Sequence, residues 1–282
     1  MKVLVTGAAG MLAQEVLSAL EAAGHTLQPH PALDITRLDE VRKAIHGARP
    51  DWVVHLAAYT DVDGCEARAD HAMKVNGEGS GHVALAAAEV GSAILAMSSD
   101  YVFAGDDPRP QREDDLTGPL SAYGRSKLAG EEAVRAANRD HAIVRTAWLY
   151  GRGGRNFVDT ILDRALAGGA LSVVDDQRGS PTWTRDLAGA LVKLLAKGVR
   201  GTFHATNSGS CTWHEFAVAI CEAAGVRVPV ARISSAQLER PARRPAHSVL
   251  DTSKLQDAIG QALPQWRDAM ERYLAQRASV RM

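Results

Sequence analysis

Short apolar runs, several rich in β-branched residues, alternate along the first half of the chain with longer segments of mixed polarity. The runs lie at Lys2–Thr6, Thr26–Pro29, Pro50–Tyr59, Ser92–Met97 and His141–Gly151. Strands that are buried on both faces of a parallel sheet have such unbroken apolar runs. The intervening segments predict helices, including one from Ala72 to Val90 and one that contains Tyr123 and ends near Asn138. This alternation predicts an α/β fold with a parallel sheet.

A glycine-rich turn joins the first predicted strand to the first predicted helix, which runs to about Ala23. The segment Gly7-Ala8-Ala9-Gly10-Met11-Leu12-Ala13 has the spacing G-x-x-G-x-x-A. Glycines at this spacing let the backbone approach a pyrophosphate, and the N-terminus of the helix supplies N–H groups. Its position directly after the first strand predicts a dinucleotide site, with an ordinary strand–helix turn as the alternative.

The second half of the chain alternates less strictly, and no repeat or low-complexity linker separates it from the first half. Helices are predicted at about 156–167, 184–195, 212–224 and 264–276, and short strands at Leu171–Val174 and Thr202–Ala205. We therefore predict a Rossmann-type doubly wound parallel sheet with a smaller, interleaved C-terminal substrate domain. Residues 1–150 and 183–207 would form the dinucleotide-binding domain, and residues 151–182 and 208–282 the substrate domain.

Composition narrows the class of protein further. The 282 residues carry a formal net charge of −1, so no overall field attracts nucleic acid or an acidic membrane. No apolar run has membrane-spanning length. The three cysteines lack close pairing, which suits a reducing compartment. We predict a cytoplasmic protein that binds neither nucleic acid nor membrane, and we predict no metal site.

Tyr123 and Lys127 lie four residues apart in a predicted helix and therefore on one face of it. A neighbouring ammonium favours the phenolate, which lowers the pKa of a tyrosine and suits it to general acid–base chemistry. A surface pair is the alternative for an isolated Y-x-x-x-K. Ser99 and Asp100 follow a predicted strand, and ligands of open parallel sheets bind beyond the carboxyl ends of strands. Both residues are therefore predicted to lie in the ligand crevice.

Together these motifs resemble the extended short-chain dehydrogenase/reductases and, within them, the dTDP-4-dehydrorhamnose reductase family. The resemblance covers nearly the whole chain. Its most particular elements are Ser99-Asp100-Tyr101-Val102-Phe103, Trp148-Leu149-Tyr150-Gly151, Asp176-Gln177-x-Gly179-x-Pro181-Thr182 and Arg244-Pro245-x-x-Ser248-x-Leu250-Asp251. Two positions depart from the family pattern: Ala13 replaces the third glycine, and Ser99 stands where threonine is usual.

The resemblance implies reduction of the C4 keto group of dTDP-4-dehydro-L-rhamnose by NADPH or NADH to give dTDP-L-rhamnose. Tyr123 would donate the proton, Lys127 would bind the nicotinamide ribose and lower the pKa of Tyr123, and Ser99 would hydrogen-bond the carbonyl oxygen. Homodimers are common in the family. The alternatives are a reductase or epimerase of another nucleotide-activated 4-ketosugar, and a non-catalytic regulatory subunit that binds a nucleotide.

The resemblance also implies which residues contact the two ligands. The cofactor would be bound by Gly7, Ala9, Gly10, Met11, Leu12, Asp34, Ile35, Leu56, Ala57, Ala58, Tyr59, Asn76, Tyr123 and Lys127. The dTDP-sugar would be bound by Ser99, Asp100, Tyr101, Trp148, Asn156, Gln177, Thr182 and Arg244. Trp148 is equally compatible with a core position, and Asn76 with simple helix packing. Arg240, Arg243 and Arg244 could balance the diphosphate charge or form a solvated loop. The choice between NADPH and NADH stays open.

Overall fold

Six parallel strands form the central sheet of this protein, seen in a computed structural model that describes residues 1–280. In chain order they are β1 (Lys2–Thr6), β2 (Thr26–His30), β3 (Trp52–His55), β4 (Ala93–Ser99), β5 (His141–Thr146) and β10 (Gly201–His204). Their order across the sheet is β10-β5-β4-β3-β1-β2, and every neighbouring pair is parallel. The predicted α/β fold with a parallel sheet is confirmed.

Helices cover both faces of the sheet. They are α1 (Met11–Ala22), α2 (Leu38–Ala48), α5 (Gly79–Glu89), α6 (Ala122–Ala137), α8 (Thr184–Lys197) and α11 (Ser253–Ile259), and the short helices α3 (Val62–Ala67) and α4 (Ala69–Ala72) pack against α6. Successive strand residues point to opposite faces. Val3 and Val5 accordingly pack in one hydrophobic core with α1 and α8, whereas Leu4 packs in a second core with α2 and α5. The sheet is therefore doubly wound, as predicted.

The strand order reverses between β1 and β3, and the glycine turn lies at this point. Gly7 has a φ of +65°, in the left-handed region that favours glycine. A Cβ on Gly7 would lie 2.6 Å from the backbone nitrogen of Ala57, just after β3. Only glycine fits here, so the turn is fixed at the switch point where open α/β sheets bind ligands.

The helix predicted from Ala72 to Val90 is interrupted by a different local geometry. A π-helical segment, Met73–Glu78, lies between α4 and α5 and contains the buried Asn76. Such widened turns are rare and often occur at functional sites. The apolar pattern predicted a helix here, but the π geometry depends on tertiary contacts.

A further hydrophobic core lies in the C-terminal part of the chain. The remaining elements there are β6 (Leu149–Tyr150), α7 (Phe157–Leu166), β7 (Leu171–Val174), β8 (Arg178–Gly179), β9 (Thr182–Trp183), β11 (Cys211–Thr212), α9 (Trp213–Ala223), β12 (Val230–Ile233), α10 (Ser235–Leu238) and α12 (Trp266–Val280). The members of this hydrophobic core include Tyr150, Trp183, Phe216, Trp266 and Tyr273. Tyr150 and Trp183, at the edges of the predicted sheet-domain segments, thus pack in this second region. The exact domain boundaries stay a prediction.

Within residues 1–280, no helix combines the length and apolar composition needed to cross a bilayer.

Candidate active site

The helix α6 begins where the chain returns to the carboxyl end of β4. Ser121 caps it, its hydroxyl accepting a hydrogen bond from the Gly124 amide at 3.1 Å. Gly124 packs so closely on the carbonyl of Tyr101 that a Cβ would clash with it. This approach brings the rings of Tyr101 and Tyr123 into edge contact, with centroids 5.5 Å apart. A cap and a glycine therefore place Tyr123 beside the end of β4.

Ser99, Asp100 and Tyr123 meet at this point. The Ser99 hydroxyl donates to Asp100 Oδ1 at 2.9 Å and is also hydrogen-bonded to the Tyr123 phenol. Burial raises the pKa of Asp100 to about 6 and the pKa of Tyr123 above its ordinary value. At neutral pH the phenol therefore carries its proton, as a general acid requires.

Lys127 is buried one turn after Tyr123, and its Nζ donates to the backbone carbonyl of Met97 at 2.8 Å. Burial lowers the pKa of Lys127 to about 8, and the nearby Glu131 carboxylate opposes that shift. We expected Lys127 to lower the pKa of Tyr123. In this structure desolvation of the phenol is the largest influence and the pKa of Tyr123 is raised, while the contribution of Lys127 stays a prediction.

A buried ion pair anchors α6 to the sheet behind Lys127. Glu131 accepts from Arg145 Nε and Nη2, both at 2.8 Å, and from Arg135 at 2.7 Å. Arg145 lies in β5 opposite Ser98, the residue before Ser99. The sequence analysis missed this pair because Arg145 lies inside an apolar strand pattern. Its one signal was a charged residue at a position predicted to be buried.

Asn76 connects the segment after β3 to α6. Its side chain accepts from the Tyr59 amide at 2.8 Å and donates to the Tyr59 carbonyl at 2.9 Å. It also donates to Ser126 Oγ at 2.9 Å, and that hydroxyl donates to the Tyr123 carbonyl at 2.8 Å. Asn76 is therefore a backbone link as well as a packed helix amide.

A series of buried hydrogen bonds, which the sequence analysis also missed, leads from Asn76 to β1. His55 hydrogen-bonds Thr6 at 2.7 Å and Ser80 at 3.1 Å, and Ser80 donates to the Asn76 carbonyl at 2.6 Å. Burial and the charge of Lys127 lower the pKa of His55 to about 3, so the imidazole is neutral. These hydrogen bonds connect the end of β1, just before the glycine turn, with Asn76 and so with α6.

The glycine turn has the properties of a phosphate site. Gly10 is the N-cap of α1, no side chain caps the helix, and its first turn holds no acidic residue. The N–H groups at the start of a helix have no partner within the helix. The turn that contains Gly7 and Ala9, with Met11 and Leu12 at the start of α1, therefore fits the pyrophosphate of a dinucleotide.

Two further groups of predicted cofactor residues lie in the chain after β2 and directly after β3. Asp34 accepts from the Thr36 amide at 3.0 Å and the Thr36 hydroxyl at 2.7 Å, which holds the pKa of Asp34 below its usual value. Ile35 is buried. The segment 56–59 directly follows β3, and its Tyr59 hydroxyl accepts from Arg68 at 2.5 Å.

Trp148 lies in the short link between β5 and β6. It has a left-handed φ of +48°, and its indole stacks on that of Trp213 with a centroid distance of 3.5 Å and an interplanar angle of 6°. Trp213 was missed by the sequence analysis, although it directly follows the capping residue Thr212 of α9. Trp148 is half-buried and belongs to an aromatic cluster at the edge of the C-terminal hydrophobic core.

Three other predicted substrate residues bond within the protein. Asn156 caps α7: its Oδ1 accepts from the Asp159 amide at 3.0 Å, and its Nδ2 donates to the Gly151 carbonyl at 2.9 Å. Thr182 is fully buried, and Gln177 donates to Ser235 Oγ at 2.7 Å. Asn156 and Thr182 thus shape the chain around the site.

The arginine cluster is paired with an acidic residue that the sequence analysis did not connect to it. Arg244 Nη2 donates to both carboxylate oxygens of Asp63, at 3.1 and 3.0 Å, and Arg240 donates to the same residue at 2.9 Å. Arg243 is exposed. The Arg244 side chain also hydrogen-bonds Tyr101. Asp63 therefore already compensates part of the positive charge expected to meet a diphosphate.

Groups of three or more His, Cys, Asp or Glu side chains that could hold a metal ion are absent from the part of the chain that the structure describes.

Comparison with known proteins extends this picture. The family model described as RmlD substrate binding domain matches residues 1–279. A dTDP-4-dehydrorhamnose reductase of Streptomyces griseus is 45% identical over 276 residues, which cover 95% of this chain and 91% of that protein. A probable dTDP-4,6-dihydroxy-2-methyloxan-3-one 4-ketoreductase of Streptomyces antibioticus is 42% identical over 275 residues, covering 96% and 93%.

Among solved structures, the dTDP-4-dehydrorhamnose reductase of Bacillus anthracis str. Ames in complex with NADP superimposes with a TM-score of 0.95. It is 36% identical, and the match covers 98% of this chain and 99% of that one. The similarity thus extends over almost the whole length of the chain.

Proposed function

The chain belongs to the RmlD substrate binding domain family, and from this premise we propose that it reduces the C4 keto group of dTDP-4-dehydro-L-rhamnose with NADPH or NADH. The product would be dTDP-L-rhamnose. The observation that carries the proposal is that Tyr123 hydrogen-bonds Ser99 at the carboxyl end of β4, while Lys127 of the same helix bonds Met97 in that strand.

A bound reduced nicotinamide supplies the hydride in such a reaction. The backbone around Gly7, Ala9 and Gly10, with Met11 and Leu12, would hold the pyrophosphate. Asp34 and Ile35 would contact the adenine side, and the segment 56–59 with Asn76 would contact the nicotinamide half. Support comes from the free N–H groups of α1 and from the position of the turn at the sheet's switch point.

Tyr123 would donate its proton to the alkoxide that forms at C4. The raised pKa of Tyr123 keeps that proton on the phenol until it is needed. Lys127, held by the Met97 carbonyl, would bind the nicotinamide ribose and stabilise the phenolate that remains. Ser99 would hydrogen-bond the carbonyl oxygen and keep it near the phenol. A positioned proton donor contributes about 10²–10⁴-fold to the rate.

The sugar would lie against Asp100, Tyr101 and Trp148, which all follow strands at the carboxyl edge of the sheet. Gln177 and Arg244 would contact the nucleotide diphosphate. Asn156 and Thr182, which also bond within the protein, would contact the nucleotide or diphosphate as the resemblance implies.

The test is NADPH oxidation with dTDP-4-dehydro-L-rhamnose, repeated with NADH, for the wild type and for Tyr123→Phe. We expect turnover by the wild type and a loss of about 10²–10⁴-fold in kcat for the variant, with cofactor affinity unchanged. A wild type that leaves this sugar unreduced would overturn the substrate assignment. Full turnover by Tyr123→Phe would overturn the role of the tyrosine.

A second candidate is a reductase of another dTDP-linked ketosugar. It is favoured by the 42% identity to a protein named for the 4-keto reduction of a different dTDP-sugar. The same assay with a panel of dTDP-4-ketosugars separates the two candidates, because the true substrate gives the highest kcat/KM.

A further inference from the structure

Two separate segments of the chain, residues 179–182 and the start of α9, converge on Trp148. Its backbone carbonyl accepts a hydrogen bond from the Thr182 amide at 3.2 Å. Its indole is stacked on Trp213. The absent side chain of Gly179 leaves room for the same ring, since a Cβ there would lie 2.5 Å from Trp148 Cε2. The indole is therefore restrained from several directions.

The positions of Gly179 and Trp213 are coupled by a short ladder. The strands β8 and β11 are antiparallel with Gly179 opposite Cys211, and Trp213 follows β11 directly as the first residue of α9. Phe157 packs on Trp213 with ring centroids 4.5 Å apart. The β8–β11 pairing and the contact with Phe157 thus fix Gly179 and Trp213 independently of Trp148.

The conformation of Trp148 indicates why such restraint is needed. A φ of +48° is unfavourable for a bulky L-residue and persists only where surrounding structure enforces it. Thr146 pairs with Ser99 across β4 and β5, so Trp148 lies two residues beyond the partner of a proposed catalytic group. The surrounding contacts therefore hold the strained residue, and with it the indole, at the edge of the sheet where the ketosugar would bind.

We infer that Gly179 and Trp213 are positioning residues that fix the Trp148 indole against the ketosugar and so determine the KM for the sugar nucleotide. The inference rests on the proposed function, which makes Trp148 a sugar contact. The inference implies that position 179 must be glycine, because any larger side chain there displaces the Trp148 indole that contacts the substrate.

The decisive variant is Gly179→Ala, with Gly189→Ala in α8 as matched control because a Cβ there meets nothing within 4 Å. We expect about a tenfold increase in the KM for the dTDP-ketosugar with Gly179→Ala and an unchanged KM for NADPH. The control should match the wild type in both constants.

A double-mutant cycle separates positioning from a general structural effect. In a Trp148→Ala background the indole is gone, so Gly179→Ala should cause no further increase in KM. Trp213→Leu should raise the KM for the sugar nucleotide, and Trp213→Phe, which preserves a stacking ring, should recover most of the loss.

Circular dichroism provides a readout that does not depend on turnover. Trp148 and Trp213 are the one Trp–Trp contact among the ring contacts of the described residues, and two indoles held in fixed contact contribute to the near-ultraviolet spectrum. Gly179→Ala should change that contribution while the unfolding midpoint stays within a few degrees of the control.

The outcomes are distinguishable. A Gly179→Ala KM equal to that of Gly189→Ala, or an equal increase in the Trp148→Ala background, overturns the inference and leaves the proposed function intact. A wild type that reduces no dTDP-4-ketosugar overturns the proposed function, and with it the inference.

Discussion

Two regions of the molecule present side chains at the carboxyl edge of the sheet, and they are held by different forces. The catalytic-helix region comprises α6 with Tyr123 and Lys127, and buried polar bonds from Asn76 and Glu131 hold it. The tryptophan region comprises Trp148 and Trp213, and it is held mainly by ring stacking.

Because the two regions are held by different contacts, substitutions in them should affect different properties of the enzyme. Buried polar bonds are directional and costly to leave unmade, so they suit groups that must hold a proton at a fixed atom. Stacked rings are tolerant of small shifts and present area, which suits binding of a sugar face. We therefore expect the first region to govern kcat and stability, and the second to govern the KM for the sugar nucleotide.

The strongest test of the polar region is the buried Glu131–Arg145 pair. Glu131→Ala leaves the nearly fully buried Arg145 without its carboxylate, which costs about 3–5 kcal/mol in the free energy of unfolding. Urea unfolding measures this loss. As a control, Glu21→Ala at an exposed position of α1 should change the free energy of unfolding by less than about 0.5 kcal/mol. Equal losses at the two positions would contradict the anchoring role.

Replacing Lys127 should have the next largest effect, and it should stabilise the folded protein where the loss of Glu131 destabilises it. Its pKa is lowered from 10.5 to about 8, so the folded protein binds fewer protons than the unfolded chain between these two pH values. Burying the ammonium thus costs about 3 kcal/mol below pH 8, and this cost is relieved as pH rises towards 10.5. At pH 7, Lys127→Met should therefore unfold at a higher temperature than the wild type, although turnover is lost.

The gain in Lys127→Met should shrink as pH rises above 8 and vanish above about 10.5. Lys193→Met, at an exposed position in α8, is the control and should show no such pH dependence. If Lys127→Met were destabilising at pH 7 and the deficit did not change with pH, the Met97 hydrogen bond would dominate over burial. In the wild type, kcat should fall as pH rises through about 8, because the charged form of Lys127 stabilises the phenolate.

A smaller loss is expected at Asn76, which tests the link between Tyr59 and α6. Asn76→Ala leaves both the amide and the carbonyl of Tyr59 without their side-chain partner, at a cost of about 1–3 kcal/mol. The kcat should decrease together with stability, because Ser126 loses the same partner beside Tyr123. A variant with lowered stability and an unchanged kcat would restrict Asn76 to helix packing.

The smallest effect is expected at Arg244, which belongs to neither set of contacts. Arg244→Ala should raise the KM for the dTDP-sugar only a few-fold, because Asp63 already pairs with this guanidinium, and it should spare the KM for NADPH. Arg240→Ala, at the more exposed partner of Asp63, should change the sugar KM still less. An increase of a hundredfold would show that Arg244 leaves Asp63 to bind the diphosphate.

Much of the catalytic-helix region could be predicted from local sequence. A strand, a glycine turn and a Y-x-x-x-K helix each have short-range signals, and the carboxyl-edge rule brings them together. The capping residue Ser121 belongs to the same local pattern. What could not be predicted was the partner of each charge: Lys127 bonds to Met97, and Arg244 to Asp63, 181 residues away in the chain.

The sequence by itself determined the α/β class, the glycine turn at the start of α1 and the shared helix face of Tyr123 and Lys127, because all three follow from periodicity and backbone geometry over a few residues. Only the tertiary structure decided the raised pKa of Tyr123 and the stacking of Trp148 on Trp213. Desolvation and ring contacts depend on atoms from distant segments, and no local pattern encodes which segments those are.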